Sequence, residues 1–424
     1  MREASSGLAC VVMACAWMVG CAHGTEIIRP PEPPLTERPS EAELARWEDA
    51  SALFAQNEAA GDWDGEACHQ TLAAFESISE DGQRAQAVYM SGLVAQRCGN
   101  EDGARRLFGR ALELDEALCE ARVALALMEM DDDHVDRARA AFERAVELDN
   151  QCASAYVNLA ALQARHPGQR EAAVANLRRA LAVRADYLPA LDQLARVYLE
   201  WGDERPELLR LAEVVCRQAQ LIDETYAPIY NTWALIDLAQ GDPTAAAAKL
   251  DRAVTLDPTF YAAWMNFGQV TLSQRAYEDA ARAFGRAREL RPSSYDAAVG
   301  LGVALRGLTR SEEAEASYRA ALEIDEDRAE AWFDLAVLYH EHRQGSVEQL
   351  RQALSFLDQF VRRAQREPSL GDALEETARW CPERAGSARR RASTCRPGRA
   401  QVIVTSLELL GEDVDAPGWV QVAR

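Results

Sequence analysis

Two short clusters in this sequence contain residue types that could bind a metal ion. Residues 340–342 read His-Glu-His, and residues 131–134 read Asp-Asp-Asp-His. Side chains two residues apart on a helix point in different directions, and no third ligand accompanies the histidines. The acidic cluster lacks the spacing and the glycine of a calcium-binding EF-hand loop. We therefore expect both segments to be solvated turns, and we predict no metal site.

Signatures of catalysis are missing from the sequence. It contains no Gly-rich phosphate loop, no Gly-x-Ser-x-Gly elbow and no zinc-ligand spacing. The formal net charge is -22, from 46 basic and 68 acidic residues. Such a balance disfavours a nucleic-acid face, because phosphate binding needs a basic stripe. We predict a protein that is not an enzyme, needs no cofactor and binds no nucleic acid.

The elements that position the remaining side chains are indicated by internal self-similarity. Two neighbouring blocks carry the same residue types 34 residues apart, as Tyr230 and Trp264 or Pro258 and Pro292 show. Each block combines bulky and small residues at helical spacing with a second apolar run. The proline cannot continue a helix, so it marks the turn into the next repeat.

The pattern of bulky and small positions has a physical reason. Trp264, Phe267 and Gly268 share one face of a first helix, and small Gly268 and Ala280 let two helices approach closely. Phe284 presents the second helix to this hairpin and to its neighbour. The pattern and its period resemble the tetratricopeptide repeat, over about residues 85–364. The resemblance implies an all-α superhelical solenoid of helix-turn-helix repeats, about eight of them, in which stacking supplies the core.

The segments on either side of the array differ from it. Residues 41–84 are expected to form a divergent helical hairpin that caps the array, because end repeats must hide an apolar face. Residues 365–424 form a tail with an Arg-rich loop. Within the tail, residues 401–410 are rich in β-branched side chains and predict a strand.

The N-terminus has the features of a targeting segment. Residues 8–19 are apolar but too few to span a bilayer comfortably, so residues 1–20 are interpreted as a signal peptide. The run ends in Met-Val-Gly-Cys21, which resembles the lipobox of bacterial lipoproteins. That resemblance implies acylation of Cys21, with residues 21–40 as lipid anchor and Pro-rich linker, and Ala22 implies an outer-membrane location facing the periplasm. An ordinary secretory signal, cut near Ala22, is the alternative.

Cysteine use is typical of an oxidising compartment. Candidate disulfide pairs are Cys68 with Cys98, Cys119 with Cys152, and Cys381 with Cys395. Adjacent repeats would bring the first four cysteines together in pairs, although free thiols within helix packing remain an alternative. The last pair encloses the Arg-rich loop, and closing about fifteen residues would contribute about 3 kcal/mol by chain entropy. Cys216 falls at the repeat position of Phe284 and is expected to be buried.

The resemblance also implies where a partner would bind. In this family ligands usually lie in a concave groove lined by the first helices, at positions beside the packing residues. These positions are Val157, Asn158, Asp192, Gln193, Arg196, Asn231, Leu235, Met265, Asn266 and Gln269. An extended peptide or a partner helix is the expected cargo, although the asparagines could equally bond between helices.

The sequence therefore favours a non-catalytic scaffold that helps to assemble a multi-protein envelope machine for motility, a pilus or secretion. The layout is similar to that of assembly lipoproteins, including the myxobacterial gliding-motility type. Its partners would be envelope proteins, with the membrane reached through the N-terminal lipid. The alternative is a recruitment subunit that presents substrate to a separate enzyme acting on peptidoglycan or polysaccharide.

Overall fold

The computed structural model describes residues 41–61, 63–82, 84–342, 346–380 and 398–410, together with 414, 417 and 421–422. They divide into two compact units, the first ending at Gln240 and the second beginning at Gly241. The first unit contains α1 Glu41–Ala60, α2 Gly65–Gly82, α3 Ala85–Arg97, α4 Glu101–Leu114, α5 Cys119–Asp131, α6 Val135–Leu148, α7 Ala153–Ala164, α8 Arg170–Val183, α9 Leu188–Trp201, α10 Glu207–Ile222 and α11 Ala227–Ala239. A 3₁₀ turn, Pro167–Gln169, precedes α8.

The second unit continues the helical pattern. It contains α12 Pro243–Leu256, α13 Tyr261–Ser273, α14 Tyr277–Leu290, α15 Tyr295–Gly307, α16 Ser311–Ile324, α17 Glu330–Val337, α18 Val347–Ala364, α19 Gly371–Ala378 and α20 Arg399–Leu409. A π-helical turn, Leu338–His342, extends α17, and Pro368–Leu370 is a 3₁₀ turn. Two short strands, β1 Arg379–Trp380 and β2 Gln421–Val422, pair in parallel. Within the described ranges, no helix has the length and apolarity needed to cross a membrane.

Helix pairing follows the alternation of bulky and small residues. Phe284 of α14 is only 2% exposed and lies between the glycines of two first helices. A Cβ built on Gly268 would come within 2.8 Å of the Phe284 ring, and one on Gly300 within 2.6 Å. Only glycine allows both helices to approach the same ring so closely. The predicted all-α repeat architecture is confirmed, since consecutive helices pack as stacked hairpins within each unit.

Five of the turns between a first and a second helix share one backbone conformation. A residue with positive φ follows the first helix at Gly99, Asp133, Gly241, Arg275 and Thr309. Asp133 follows Gly99 by 34 residues, and Gly241, Arg275 and Thr309 are also spaced 34 residues apart. The left-handed conformation ends the first helix and redirects the chain into the second, and three of these five positions tolerate it without glycine.

The turn between hairpins is closed by aspartate. After the second helix of five repeats, an Asp side chain accepts a hydrogen bond from the backbone N–H two residues on, at 2.7 to 3.0 Å. The five are Asp115, Asp149, Asp223, Asp257 and Asp325. Such Asx-turns fix the chain direction locally between the two helices that each turn joins.

The first two helices form a hairpin around an aromatic cluster. Trp47 of α1 lies with its ring centroid 5.8 Å from that of Phe75 in α2, and the Phe54 and Trp63 centroids are 5.3 Å apart. Arg97 at the end of α3 binds Glu58 through two guanidinium nitrogens, at 2.9 Å each. These contacts bury one face of the α1–α2 pair against α3.

Two disulfides link neighbouring elements of the first unit. Cys68 of α2 is bonded to Cys98 after α3, with Cα atoms 6.0 Å apart, and Cys119 of α5 to Cys152 before α7, with Cα atoms 5.7 Å apart. Both distances lie in the usual range for a disulfide. Cys216 is fully buried at the position of Phe284. Cys21, Cys381 and Cys395 lie outside the described residues.

Reduction of these two disulfides should weaken the first unit. Each closes a loop of about thirty residues, so each should contribute about 2–4 kcal/mol to the free energy of unfolding. Urea unfolding followed by circular dichroism, with and without a phosphine reductant, measures the loss. A variant with all four cysteines replaced by alanine should show the lower stability, and reductant should lower the stability of its first unit no further. Four reactive thiols in the freshly extracted, denatured protein, beyond those of the remaining cysteines, would contradict this pairing.

The tail contains a helix where the sequence pattern predicted a strand. Residues 399–409 form α20, so the strand prediction for 401–410 is wrong. Ala400, Ile403 and Leu407 recur at helical spacing, are fully buried, and pack against α18. Burial of this stripe outweighs the local preference of Val402, Ile403, Val404 and Thr405 for strands, because strand propensity depends strongly on packing context.

Arg399 anchors the start of α20 to the last repeat. Its guanidinium donates to the Glu341 carboxylate, lies 3.3 Å from His340 Nδ1, and sits over the Phe333 ring. Burial and the Arg399 charge lower the pKa of His340, which favours the neutral imidazole as acceptor. The segment 340–342 was predicted to be a solvated turn, but His340 is half-buried and part of a π-helical turn. The rest of the Arg-rich loop, residues 381–397, lies outside the described residues.

Candidate protein-binding face

The first helices of successive hairpins lie side by side within each unit. In the first unit α5 contacts α7, α7 contacts α9, and α9 contacts α11; in the second, α13 contacts α15. On each helix, three positions follow the packing residue equivalent to Trp264 by one, two and five residues. Each unit therefore has its own first-helix face, formed by these positions on α5, α7, α9 and α11 in the first unit and on α13 and α15 in the second.

The ten side chains proposed from the sequence divide between the two units. Seven lie on α7, α9 and α11 of the first unit, and Met265, Asn266 and Gln269 lie on α13 of the second. Eight of the ten are half-buried, which leaves part of each accessible to a partner. The other two, Asp192 and Asn231, are 8% and 2% exposed, so they act within the array rather than at its surface.

Asp192 organises a polar contact between α9 and α11. Its carboxylate accepts from Arg196 Nε at 2.9 Å, four residues along α9, and from the hydroxyl of Thr232 on α11. The Asp192 charge raises the pKa of Arg196. This pair therefore holds the Arg196 guanidinium in a fixed, charged position on the first-helix face.

The recurring asparagine position borders the packing seam. Asn158 donates from Nδ2 to the Ser154 carbonyl of its own helix at 2.9 Å. The same position on α11 and α15 is occupied by Thr232 and Gly300, both fully buried or closely packed. The amide nitrogen of Asn158 is thus used within its own helix.

Apolar residues on the face were not singled out from the sequence. Leu127 on α5 is 42% exposed, and Val299 and Val303 on α15 are half-buried at the equivalent positions. Together with Val157, Leu235 and Met265 they give five of the six first helices an apolar side chain on this face. The signal that would have found them is the repeat register itself, applied to every copy rather than to the clearest ones.

A charged patch lies beside these residues at the end of α9. Burial raises the pKa of Glu200, while the charges of Arg170, Arg196 and Arg165 act against that rise. Arg170 also pairs with Glu204 at 2.7 Å. Positive and negative groups are therefore mixed here, and the patch can pair with polar groups of either sign.

The acidic turn after α5 is engaged with neighbouring arginine. Asp132 binds Arg105 of α4 at 2.7 Å, and His134 Nδ1 lies 3.1 Å from Glu129. Across the described parts of the chain, no group of three or more His, Cys, Asp or Glu side chains is arranged to hold a metal ion. The Asp132–Arg105 and His134–Glu129 contacts instead hold the turn after α5 against helices α4 and α5.

Comparison with known proteins places this geometry in a class. Residues 231–284 and 266–329 match the family model of the tetratricopeptide repeat. No curated protein matches the sequence.

Three solved structures share the fold over most of the chain. Yeast Tom70 is 15% identical with a TM-score of 0.50, and the match covers 83% of this chain and 72% of that one. A chain of the APC/C hetero-tetramer Cut9-Hcn1 is 14% identical with a TM-score of 0.53, covering 72% and 59%. An IFIT1 monomeric mutant with Gppp-AAAA is 16% identical with a TM-score of 0.52, covering 74% and 80%.

The chain thus has an all-α solenoid fold of stacked helical hairpins, and its residues 231–329 carry the tetratricopeptide repeat that the family model describes. Identities this low establish the fold alone. Solenoids of this kind present extended surfaces for protein–protein interaction, and the fold is typically non-catalytic.

Proposed function

We propose that this protein is a non-catalytic scaffold that binds a segment of another protein along the first-helix face of a unit. The observation that carries the proposal is the face itself, where half-buried apolar side chains alternate with amides and one fixed guanidinium. Apolar groups supply area removed from water, and the polar groups fix the register of the bound chain. Both an extended peptide and an amphipathic helix can use this combination of apolar area and polar groups.

The partner is proposed to be a protein of the bacterial cell envelope. The lipobox-like sequence ending at Cys21 would place an acyl anchor at the N-terminus, ahead of a Pro-rich spacer. The two disulfides of the first unit fit an oxidising compartment such as the periplasm. An outer-membrane lipoprotein that faces the periplasm and helps to assemble a multi-protein motility, pilus or secretion machine accounts for these features together.

Position-specific photocrosslinking in the producing cell tests the binding face. A benzophenone amino acid placed at Gln193 or Met265, on the first helices, should form an adduct with a partner protein. The same group at Arg144 or Arg286, on α6 and α14, serves as the matched control, since these side chains are 48% and 39% exposed.

The pattern of adducts decides the outcome. Adducts from the first-helix positions alone support the proposal, and the identity of the partner separates assembly of a machine from recruitment to an envelope enzyme. Equal labelling from the second helices, or none from the first, would count against it.

Acylation is tested separately by replacing Cys21 with serine. The wild-type protein should incorporate a fatty-acid label and sediment with membranes, because several acyl chains give stable anchoring. The serine variant should lose the label and leave the membrane fraction. Label retained by the C21S variant would exclude Cys21 as the anchor.

A further inference from the structure

The outward face of α10 differs in chemistry from that of its counterparts. Cys216 of α10 is aligned with Phe284 of α14, and this register equates four outward positions. On α14 they form two ion pairs, Asp279 with Arg282 and Arg286 with Glu289. On α10 the four are Leu211, Val214, Gln218 and Leu221.

These apolar side chains are strongly exposed. Leu211 is 49% exposed, Val214 59% and Leu221 88%, with Ile222 beside them at 41%. Three of the four positions thus expose a large apolar side chain, whereas α6 carries Arg137 at the position of Leu211 and Glu147 at the position of Leu221. A contiguous exposed apolar stripe on a soluble domain commonly marks an interaction site.

The stripe is self-complementary in its spacing. Residues 211, 214, 218 and 221 are separated by three, four and three positions, so the pattern is unchanged when the helix direction is reversed. Two α10 helices packed antiparallel about a two-fold axis would place Leu211 of one opposite Leu221 of the other. Symmetric interfaces require such a match of a surface with itself.

The flanking charges match the same arrangement. Arg210 and Glu224 are both exposed; Arg210 lies near the start of α10, and Glu224 follows its last residue, Ile222. In the antiparallel pair, the start of each α10 would lie beside the end of the other, which would bring each Arg210 near Glu224 of the second copy and give two opposite-charge contacts at the rim. Each chain carries a net charge of -22, so local charge complementarity is needed to offset repulsion between copies.

We infer that α10 is a dimerisation helix, through which two copies of this chain pair antiparallel along Leu211, Val214 and Leu221. One helix face is smaller than the roughly 800 Å² per partner of a standard interface, so the dimer should be weak, with a dissociation constant on the order of micromolar. The pairing goes beyond the proposed binding function. It would join two first-helix faces in one particle and raise the avidity for a repetitive partner.

Sedimentation equilibrium of the full protein, in the form that the cell produces, tests the pairing. The wild type should show a concentration-dependent monomer–dimer equilibrium, and L211E/L221E should weaken it by more than about tenfold, since it buries four carboxylates. L409E is the matched control, because Leu409 is 83% exposed on α20; its equilibrium should equal that of the wild type. Circular dichroism establishes that each variant is folded.

Charge exchange identifies the orientation. R210E and E224R should each weaken the dimer several-fold, as expected for rim charges, whereas R210E/E224R should restore it, because the opposite charges again face each other. A protein that stays monomeric to about 100 μM, or a dimer that L211E/L221E leaves intact, overturns the inference. A dimer whose single charge variants are not rescued by the double variant overturns the antiparallel register. Either failure leaves the photocrosslinking result unaffected.

Discussion

Replacing Phe284 with alanine should lower the free energy of unfolding of the second unit by about 3–5 kcal/mol. The ring is 2% exposed and is enclosed by Gly268 and Gly300, whose backbones cannot move inward to fill the space. The substitution therefore leaves a cavity between two hairpins, and it removes the contact through which α14 joins α13 to α15. Urea unfolding followed by far-ultraviolet circular dichroism measures the loss.

Two further variants calibrate this result. F284L should cost clearly less than F284A, because more of the volume is kept. Glu289 lies on the same helix with its side chain 67% exposed, so E289A should change stability by less than about 0.5 kcal/mol. A loss below about 1 kcal/mol for F284A would show that the hairpins do not depend on this ring.

Replacing Arg306 with methionine should destabilise the second unit by about 3–5 kcal/mol. Arg306 of α15 binds Asp334 of α17 at 2.8 Å, and their side chains are only 17% and 5% exposed. Burial already raises the pKa of Asp334, with Arg306 as the main opposing charge. Without the guanidinium, a buried carboxylate loses its partner, which costs more than the pair itself contributes.

The pH dependence of R306M gives an independent check. The variant should further raise the folded-state pKa of Asp334 above its unfolded value, so the neutral acid becomes the favoured form in the fold. Its stability deficit should then be largest at neutral pH and shrink as the pH falls toward the ordinary carboxyl value of 3.8. R306M/D334L should recover much of the loss, because no buried charge remains. A deficit independent of pH and unchanged in the double variant would indicate a packing defect instead.

The repeat fold is predictable from the sequence because its rules are local and recur. Glycine opposite an aromatic ring, as at Gly268 and Phe284, is visible as a 34-residue period. The aspartate at the turn between hairpins is a second recurring signal, since Asp223 and Asp257 close equivalent turns. The recurring prolines do not reveal it, because the residue before Pro292 is an arginine where the residue before Pro258 is Asp257. A turn closed by a hydrogen bond between residues two apart can be recognised from the local sequence.

The tail could not be predicted in the same way, because its structure depends on distant residues. Helix α20 exists where Ile403 and Leu407 can be buried on α18, and Arg399 is held by Glu341 from a turn nearly sixty residues earlier. Neither partner is evident from the local sequence, which is rich in strand-forming residues. A contact that occurs once in the chain produces no repeating sequence pattern from which it could be predicted.

The candidate face was predictable in position but not in detail. Repeat register placed its residues on the first helices, and eight of the ten remain partly accessible. The burial of Asp192 depends on the neighbouring helix, since Thr232 of α11 donates to it. Register alone does not show which polar side chains the array itself uses.

Hydrogen exchange of the protein with and without its crosslinked partner tests the central claim most directly. Bound partner should slow exchange in the first helices, with α7, α9 and α13 leading, and leave the second helices α6, α8 and α14 unchanged. Slowed exchange confined to the second helices, or to α20, would contradict the assignment of binding to the first-helix face.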